Sequence, residues 1–209
     1  NGKSTFLDII SELFPLGALT SVAPHDFAND QKVALLADAL LNVLNEMPDA
    51  DLLDSERIKA VITGNPISAK VVYKPAFSFK PRCGHFFAAN ALPRVSDTSH
   101  GFWRRWLVIE WNRTFSEQEQ IKDLAARIIS SEIHLIAGWA VRGAIEALQQ
   151  DQFSIPANCD EAIDKWRSHA DPLMGFVTEK IKHSANGTTA LDELYMTYRR
   201  YCMESGTKA

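Results

Sequence analysis

The chain has 209 residues, 46% hydrophobic and 23% charged, with a formal net charge of −4. That length supports one sizeable core plus a smaller appendage, and the balance excludes disordered and collagen-like classes. No apolar run reads as long enough to span a membrane and no stretch reads as a signal peptide. The cysteines Cys83, Cys159 and Cys202 lack the paired spacing of a zinc site and read as thiols of a reducing cytoplasm.

Taken in chain order, Asn1 to Thr5 come first. Gly2-Lys3-Ser4 matches the closing half of a phosphate-binding loop, whose full pattern is Gly, four residues, then Gly-Lys-Ser/Thr. The chain therefore reads as an excerpt that begins where a loop becomes a helix. In such a loop backbone N–H groups cradle phosphate oxygens, Lys3 neutralises their charge and the Ser4 hydroxyl reaches Mg²⁺. Phe6, Leu7, Ile9, Ile10, Leu13 and Phe14 follow at helical spacing.

Further along, 18–22 predicts a short strand and 31–39 a short helix. Residues 39–44 predict a buried strand that ends at Asn45-Glu46 before Pro48, and 55–62 a helix closed by Thr63-Gly64-Asn65-Pro66. Runs at 69–73 and 76–79, hinged at Lys74-Pro75, predict a hairpin with Pro75 in its turn. Strands are expected at 84–89, ending at Asn90, and at 107–111, after Phe102-Trp103-Arg104-Arg105-Trp106. Buried strands that each end in a polar residue on one rim describe an α/β sheet with its site at the strand C-termini. Beyond about 116 the texture is helical: 121–148, then 160–169, then a helix, an Asn186-Gly187 turn and a second helix from Leu191 to Met203.

Charge is unevenly spread. Residues 57–113 hold ten basic side chains, Arg94 among them, against Asp97 and Glu110, whereas the first 56 hold ten carboxylates against Lys3 and Lys32. A local basic stretch suits a phosphate-tracking surface, and equally an ordinary solvated face.

Gly2-Lys3-Ser4, the strand ending Asn45-Glu46, Gly64-Asn65-Pro66-Ile67, Tyr73-Lys74-Pro75, Ala89-Asn90-Ala91-Leu92-Pro93 and Trp103-Arg104-Arg105 stand in a fixed order. That order resembles the superfamily 3 helicases, closest to the primase–helicase proteins of phages, plasmids and integrated elements. It covers residues 1 to about 112 well and 113–170 more loosely. The resemblance implies an AAA+-like P-loop ATPase core over 1–112, a helical region over 113–170, and the start of a winged-helix DNA-binding domain over 171–209. It also implies an ATP- and Mg²⁺-dependent helicase, working on single-stranded or forked DNA as a homo-oligomeric ring, a hexamer by family analogy, in a bacterial host's cytoplasm.

Under that resemblance Asn1, Gly2, Lys3, Ser4, Thr5 and Asn45 contact nucleotide, with Ser4 the Mg²⁺ ligand. Glu46 orients the attacking water, and Asn90 hydrogen-bonds that water or the γ-phosphate. Arg105, with Arg104 as the alternative, is the arginine finger offered to a neighbouring subunit. Lys74 grips a DNA phosphate from the hairpin tip, with Lys70 and Lys59 as weaker candidates. Asn45 departs from the acidic residue many P-loop proteins place beside Mg²⁺. Trp103 and Trp106 read as core anchors, and the histidines carry no assigned role. Two rivals stay open: a replication-initiator or DNA-anchoring module that binds nucleotide without efficient turnover, and another P-loop motor such as a packaging ATPase.

Overall fold

The computed structural model describes residues 2–47, 55–93, 95, 97, 99–184 and 187–204. Expectations at Asn1, Pro48, Arg94 and Asn186 lie outside them. The elements run α1 (Lys3–Ser11), β1 (Leu19–Thr20), α2 (Asp30–Val33), β2 (Leu41–Met47), α3 (Ser55–Ile62), β3 (Ile67–Ala69), β4 (Phe77–Phe79) and β5 (Gly84–Ala89). After them come α4 (His100–Trp103), α5 (Leu124–Gln150), α6 (Ala157–Ala170), α7 (Pro172–Lys180) and α8 (Leu191–Glu204). The chain is mixed α/β, with small sheets and several helices.

One sheet is parallel, in the order β1-β2-β5, and the other is the antiparallel hairpin β3-β4. Asn42 pairs with His85 and Val43 with Phe86 along the β2–β5 ladder. Alternation then sends the two sets to opposite faces. Val43 and Ala88 meet Leu7 and Ile10 of α1 on one side. Phe87 joins a larger core on the other, with Phe27, Leu36, Ile58, Val61, Phe102 and Trp103. Ile58 and Val61 sit three apart on α3 and are 0% and 1% exposed, the stripe a helix turns toward a core.

Asn42 is the buried polar residue of this core. Its side chain accepts from Val22 N at 2.7 Å and donates to Val22 O at 2.9 Å, mimicking a strand neighbour just past β1. The same amide nitrogen lies 3.1 Å from His85 Nδ1. An amide nitrogen only donates, so that ring nitrogen must accept and the imidazole is neutral, its proton on Nε2. Burial pushes the His85 imidazole down to about 4 and the adjacent Cys83 thiol up. Cys83, Cys159 and Cys202 are free and buried.

Several expectations are corrected. The strand expected at 39–44 runs from Leu41 to Met47, so Asn45 and Glu46 stand inside it. The hairpin arms shrink to three residues each, leaving 70–76 as its tip. No ladder forms at 107–111, where Leu107 and Ile109 are half exposed and Trp111 packs on Phe6 of α1. Apolar alternation proposes a strand, but only a hydrogen-bonding neighbour makes one. The membrane reading also needs amendment: the segment containing α5 is by length and composition apolar enough to cross a bilayer. It packs on α1, however, and Arg127, Glu132, Arg142 and Glu146 interrupt it, so no span of about 20 residues lacks charge and no membrane is indicated.

Besides the packing of α5 on α1, α6 anchors the helical region to the α/β core. Trp166 of α6 is 3% exposed and stands edge-on to both Trp103 and Trp106 at 5.2 Å, donating its indole N–H to Pro93 O at 2.9 Å. Trp103 and Trp106 are thus core anchors, as expected. At the end of the chain Asp171 caps α7 through Leu173 N and Met174 N, and Phe176 packs on Tyr198 and Tyr201 of α8. Among the described residues of 171–204 there is no strand to serve as a wing.

Candidate functional site

The C-terminal rim of the parallel sheet gathers residues from three elements. α1 starts there, introduced by Gly2 at φ 88°, a left-handed conformation that an L side chain resists. β5 ends there at Ala89, with Asn90 immediately beyond. β2 arrives with an irregular register: Leu44 pairs with Phe87 but Met47 pairs with Ala89, three steps against two. The extra residue is a bulge, and it breaks the in-out alternation so that Asn45 and Glu46 are both exposed while Met47 is buried. Without it one of the two would turn into the sheet's packed face.

Lys3, Asn90 and Glu46 form a continuous chain at this rim. The Lys3 ammonium donates to Ala89 O at 2.6 Å and to Asn90 Oδ1 at 2.8 Å. Asn90 Nδ2 in turn faces Glu46 Oε1 at 3.5 Å. The opposed demands of an ammonium and a carboxylate orient the Asn90 amide, since only one rotamer offers oxygen to the first and N–H to the second. Among the described residues Lys3 has no carboxylate partner; its acceptors are neutral, so its charge is available to an incoming anion. Ser4 is exposed on the first turn and Thr5 half buried. The N–H groups of that turn lack intrahelical acceptors and complement negative charge. An anion here would meet a cation, a helix start and a positioned amide, with a carboxylate on the far side.

The other expected residues lie elsewhere. Arg105 is half buried, with Nη1 donating to Gly101 O and Nε buried without a partner. Arg104 is exposed at the C-cap of α4. Among the described residues no hydrogen bond joins either arginine to Lys3, Asn90 or Glu46.

The basic stretch divides into paired and unpaired groups. Lys59 bridges Glu56 and Asp97, both at 2.8 Å, and the hydrogen bonds it donates to Asp97 and then Glu56 hold its ammonium above the usual lysine range. Arg57 binds Asp30, Phe27 O and Ser68 O, fastening α3 to the hairpin. Lys70, Lys74, Lys80 and Arg82 are exposed and have no ion pair among the described residues. Lys74 sits on the hairpin tip beside Tyr73, which is fully exposed at φ 62°, a strained conformation for a bulky residue. The ion pairs of Lys59 could be sought in the sequence only for Glu56, three residues away on one helix. Its partner Asp97 is distant and carries no such signal.

Comparison with known proteins gives two findings. A family model described as a family of unknown function, DUF5906, matches residues 1–105, half of the chain. The fold is similar to the solved A form apo structure of the NrS-1 C-terminal region, with a TM-score of 0.57 and 18% sequence identity. That alignment covers 100% of this chain and 55% of that one, so the chain spans about half the length of its structural neighbour. No curated protein matches the sequence.

Proposed function

We propose, for a chain that belongs to the DUF5906 family of unknown function, that the rim of Lys3, Asn90 and Glu46 is the nucleotide site of an ATP-driven DNA helicase module acting in replication. The observation that carries this reading is the Lys3–Asn90–Glu46 hydrogen-bond chain, which joins three residues far apart in sequence at the sheet's C-terminal rim. Parallel α/β sheets bind ligands at that rim.

The residues fit Mg-ATP. The group itself supplies the phosphoanhydride bond and a divalent cation. Lys3 can exchange Ala89 O and Asn90 Oδ1 for phosphate oxygens with little movement, and the first turn of α1 offers N–H donors to the same oxygens. Ser4 presents its hydroxyl where a metal ligand is needed. Asn90, once released by Lys3, holds a water or a terminal phosphate oxygen. Glu46 lies within reach of that amide and takes a proton from the water. Arg105, or the more exposed Arg104, acts on a neighbouring subunit's site in a ring, hexameric by the resemblance. Lys74 and Lys70 contact the DNA backbone, and Lys59 braces α3. The three buried free cysteines suit a reducing compartment, and the cytoplasm is the fitting one.

A second reading has one observation in its favour. Beside Glu46 at the end of β2 stands Asn45, not a second carboxylate, which suits a module that binds nucleotide and does not turn it over.

The deciding experiment measures ATP binding and hydrolysis separately on the intact chain, with and without single-stranded DNA. Lys3→Ala is expected to abolish binding. Glu46→Gln should bind normally and hydrolyse at least about a hundredfold more slowly. Wild-type protein that binds but never hydrolyses would establish the second reading. Wild-type turnover in Glu46→Gln would remove Glu46 from catalysis. Mixed rings of Arg105→Ala and Glu46→Gln subunits should regain activity if the finger acts across the interface.

A further inference from the structure

The geometry points to a second backbone-phosphate site for a single nucleic-acid strand, at the base of the β3–β4 hairpin and separate from its tip. It rests on the reading above that this module moves on DNA. A cleft of about 500 Å³ opens there, lined by Ala37, Pro66, Ser78, Phe79, Lys80 and Arg82. Ser78, Lys80 and Arg82 recur every second residue along β4 and its continuation, and this period places them on a common side of an extended chain. Phe77 and Phe79 alternate with them, stack on each other at 5.8 Å, and pair in register with buried Ala69 and Ile67. The phenylalanine pair thereby fixes the strand, with Phe79 also bordering the cleft, while Ser78, Lys80 and Arg82 supply the cleft's polar groups.

Charge singles the cleft out. Lys80 and Arg82 make no ion pair among the described residues, whereas Arg57 and Lys59 are consumed by carboxylates and carbonyls. Asp38, the carboxylate next in sequence to Ala37, is exposed and pairs with neither. An ammonium, a guanidinium fork and a hydroxyl at one opening match phosphodiester oxygens. Pro66 and Phe79 give an apolar wall for a sugar or base. Lys74 is six residues from Lys80, at most roughly 20 Å of chain, so one strand can engage the tip and the cleft together. Groups engaged with phosphate carry no sequence information, so the site is expected to follow the backbone without sequence preference.

The test is the salt dependence of binding of a fluorescent single-stranded oligonucleotide to the intact chain. It compares wild type, Lys74→Ala, and the double variant Lys80→Ala with Arg82→Ala, with circular dichroism confirming the fold of each. Losing two phosphate contacts is expected to lower the slope of log affinity against log salt by about 1.4 and to weaken binding about tenfold at low salt. The charge-preserving pair Lys80→Arg with Arg82→Lys should restore most of it, and ATP hydrolysis without DNA should be unchanged in the Lys80→Ala, Arg82→Ala double variant. Wild-type slope and affinity in the double variant, with Lys74→Ala impaired, would overturn the second site and leave the helicase reading standing. Failure of wild-type protein to bind the oligonucleotide would remove both. Saturable binding of inorganic phosphate that the double variant loses, with oligonucleotide binding intact, would overturn the proposal in favour of a small-anion site.

Discussion

The α/β core and helix α5 use apolar residues in opposite ways. Around β2 and β5 short segments arrive from several directions, and Val33, Leu36, Ile58 and Phe102 are each fully buried. Helix α5 has 27 residues, many of them apolar, and none is buried; Leu135, Trp139, Val141 and Leu148 are 59% exposed or more. The lesson is that hydrophobicity alone does not make a core. Burial needs neighbours on several sides, which the core segments have and α5, packed along α1, does not. The helix is held by its own backbone hydrogen bonds, begun and ended by Asp123 and Asp151 at positive φ.

The largest expected effect is at the core itself, where α6 inserts its tryptophan. Trp166→Ala should destabilise the fold by about 3–5 kcal/mol, since it opens a cavity beneath two tryptophans and leaves Pro93 O without its donor. Chemical denaturation followed by circular dichroism measures this, and a loss below about 1 kcal/mol would mean that α6 is not an anchor. Next comes Asn42→Leu, which keeps the branched shape, adds bulk and strips both partners from the buried Val22 backbone. A loss of about 3 kcal/mol is expected by the same measurement.

The pH response tests the same part of the core. Unfolded, His85 takes up its proton near 6.5; folded, near 4. Between those values the unfolded chain binds more protons. Stability is therefore full above about pH 6.5 and falls as pH drops toward 4, by up to roughly 3 kcal/mol. Denaturation midpoints across this range should show the slope, and His85→Gln should flatten it. The smallest effect sharpens the contrast: Trp139→Ala on the exposed face of α5 should change stability by less than about 0.5 kcal/mol. The same substitution type at 139 and 166 would then differ roughly tenfold in effect.

Much of the architecture was legible where local signals agree with their surroundings. The helix at 55–62 and the strand at 84–89 occur at their expected bounds, because periodicity and flanking Gly64 and Gly84 mark them. Legibility failed where a structure depends on partners. The expected strand at 107–111 has the right composition and no ladder, and the β2 bulge that exposes Asn45 and Glu46 together has no local signature. For the candidate site, the order of motifs identified Lys3, Glu46 and Asn90 as candidates, and the fold joins them. Sequence could not show that Lys59 is occupied by Asp97, nor that Lys80 and Arg82 share a cleft. Such pairings are fixed by tertiary packing, which no local pattern encodes.

Trp111 gives this molecule an optical property. Its ring lies 3.4 Å from where a Cβ on Gly2 would stand and packs on Phe6 at 5.6 Å, yet it remains 36% exposed. Trp103, Trp106 and Trp166 are locked together in the core, and Trp139 faces solvent on α5. An indole at the threshold of α1 senses any charge or dehydration at that helix start through its emission. With the other four tryptophans replaced by phenylalanine, provided the fold survives, Trp111 becomes a built-in fluorophore that reports occupancy of the rim without a label or turnover.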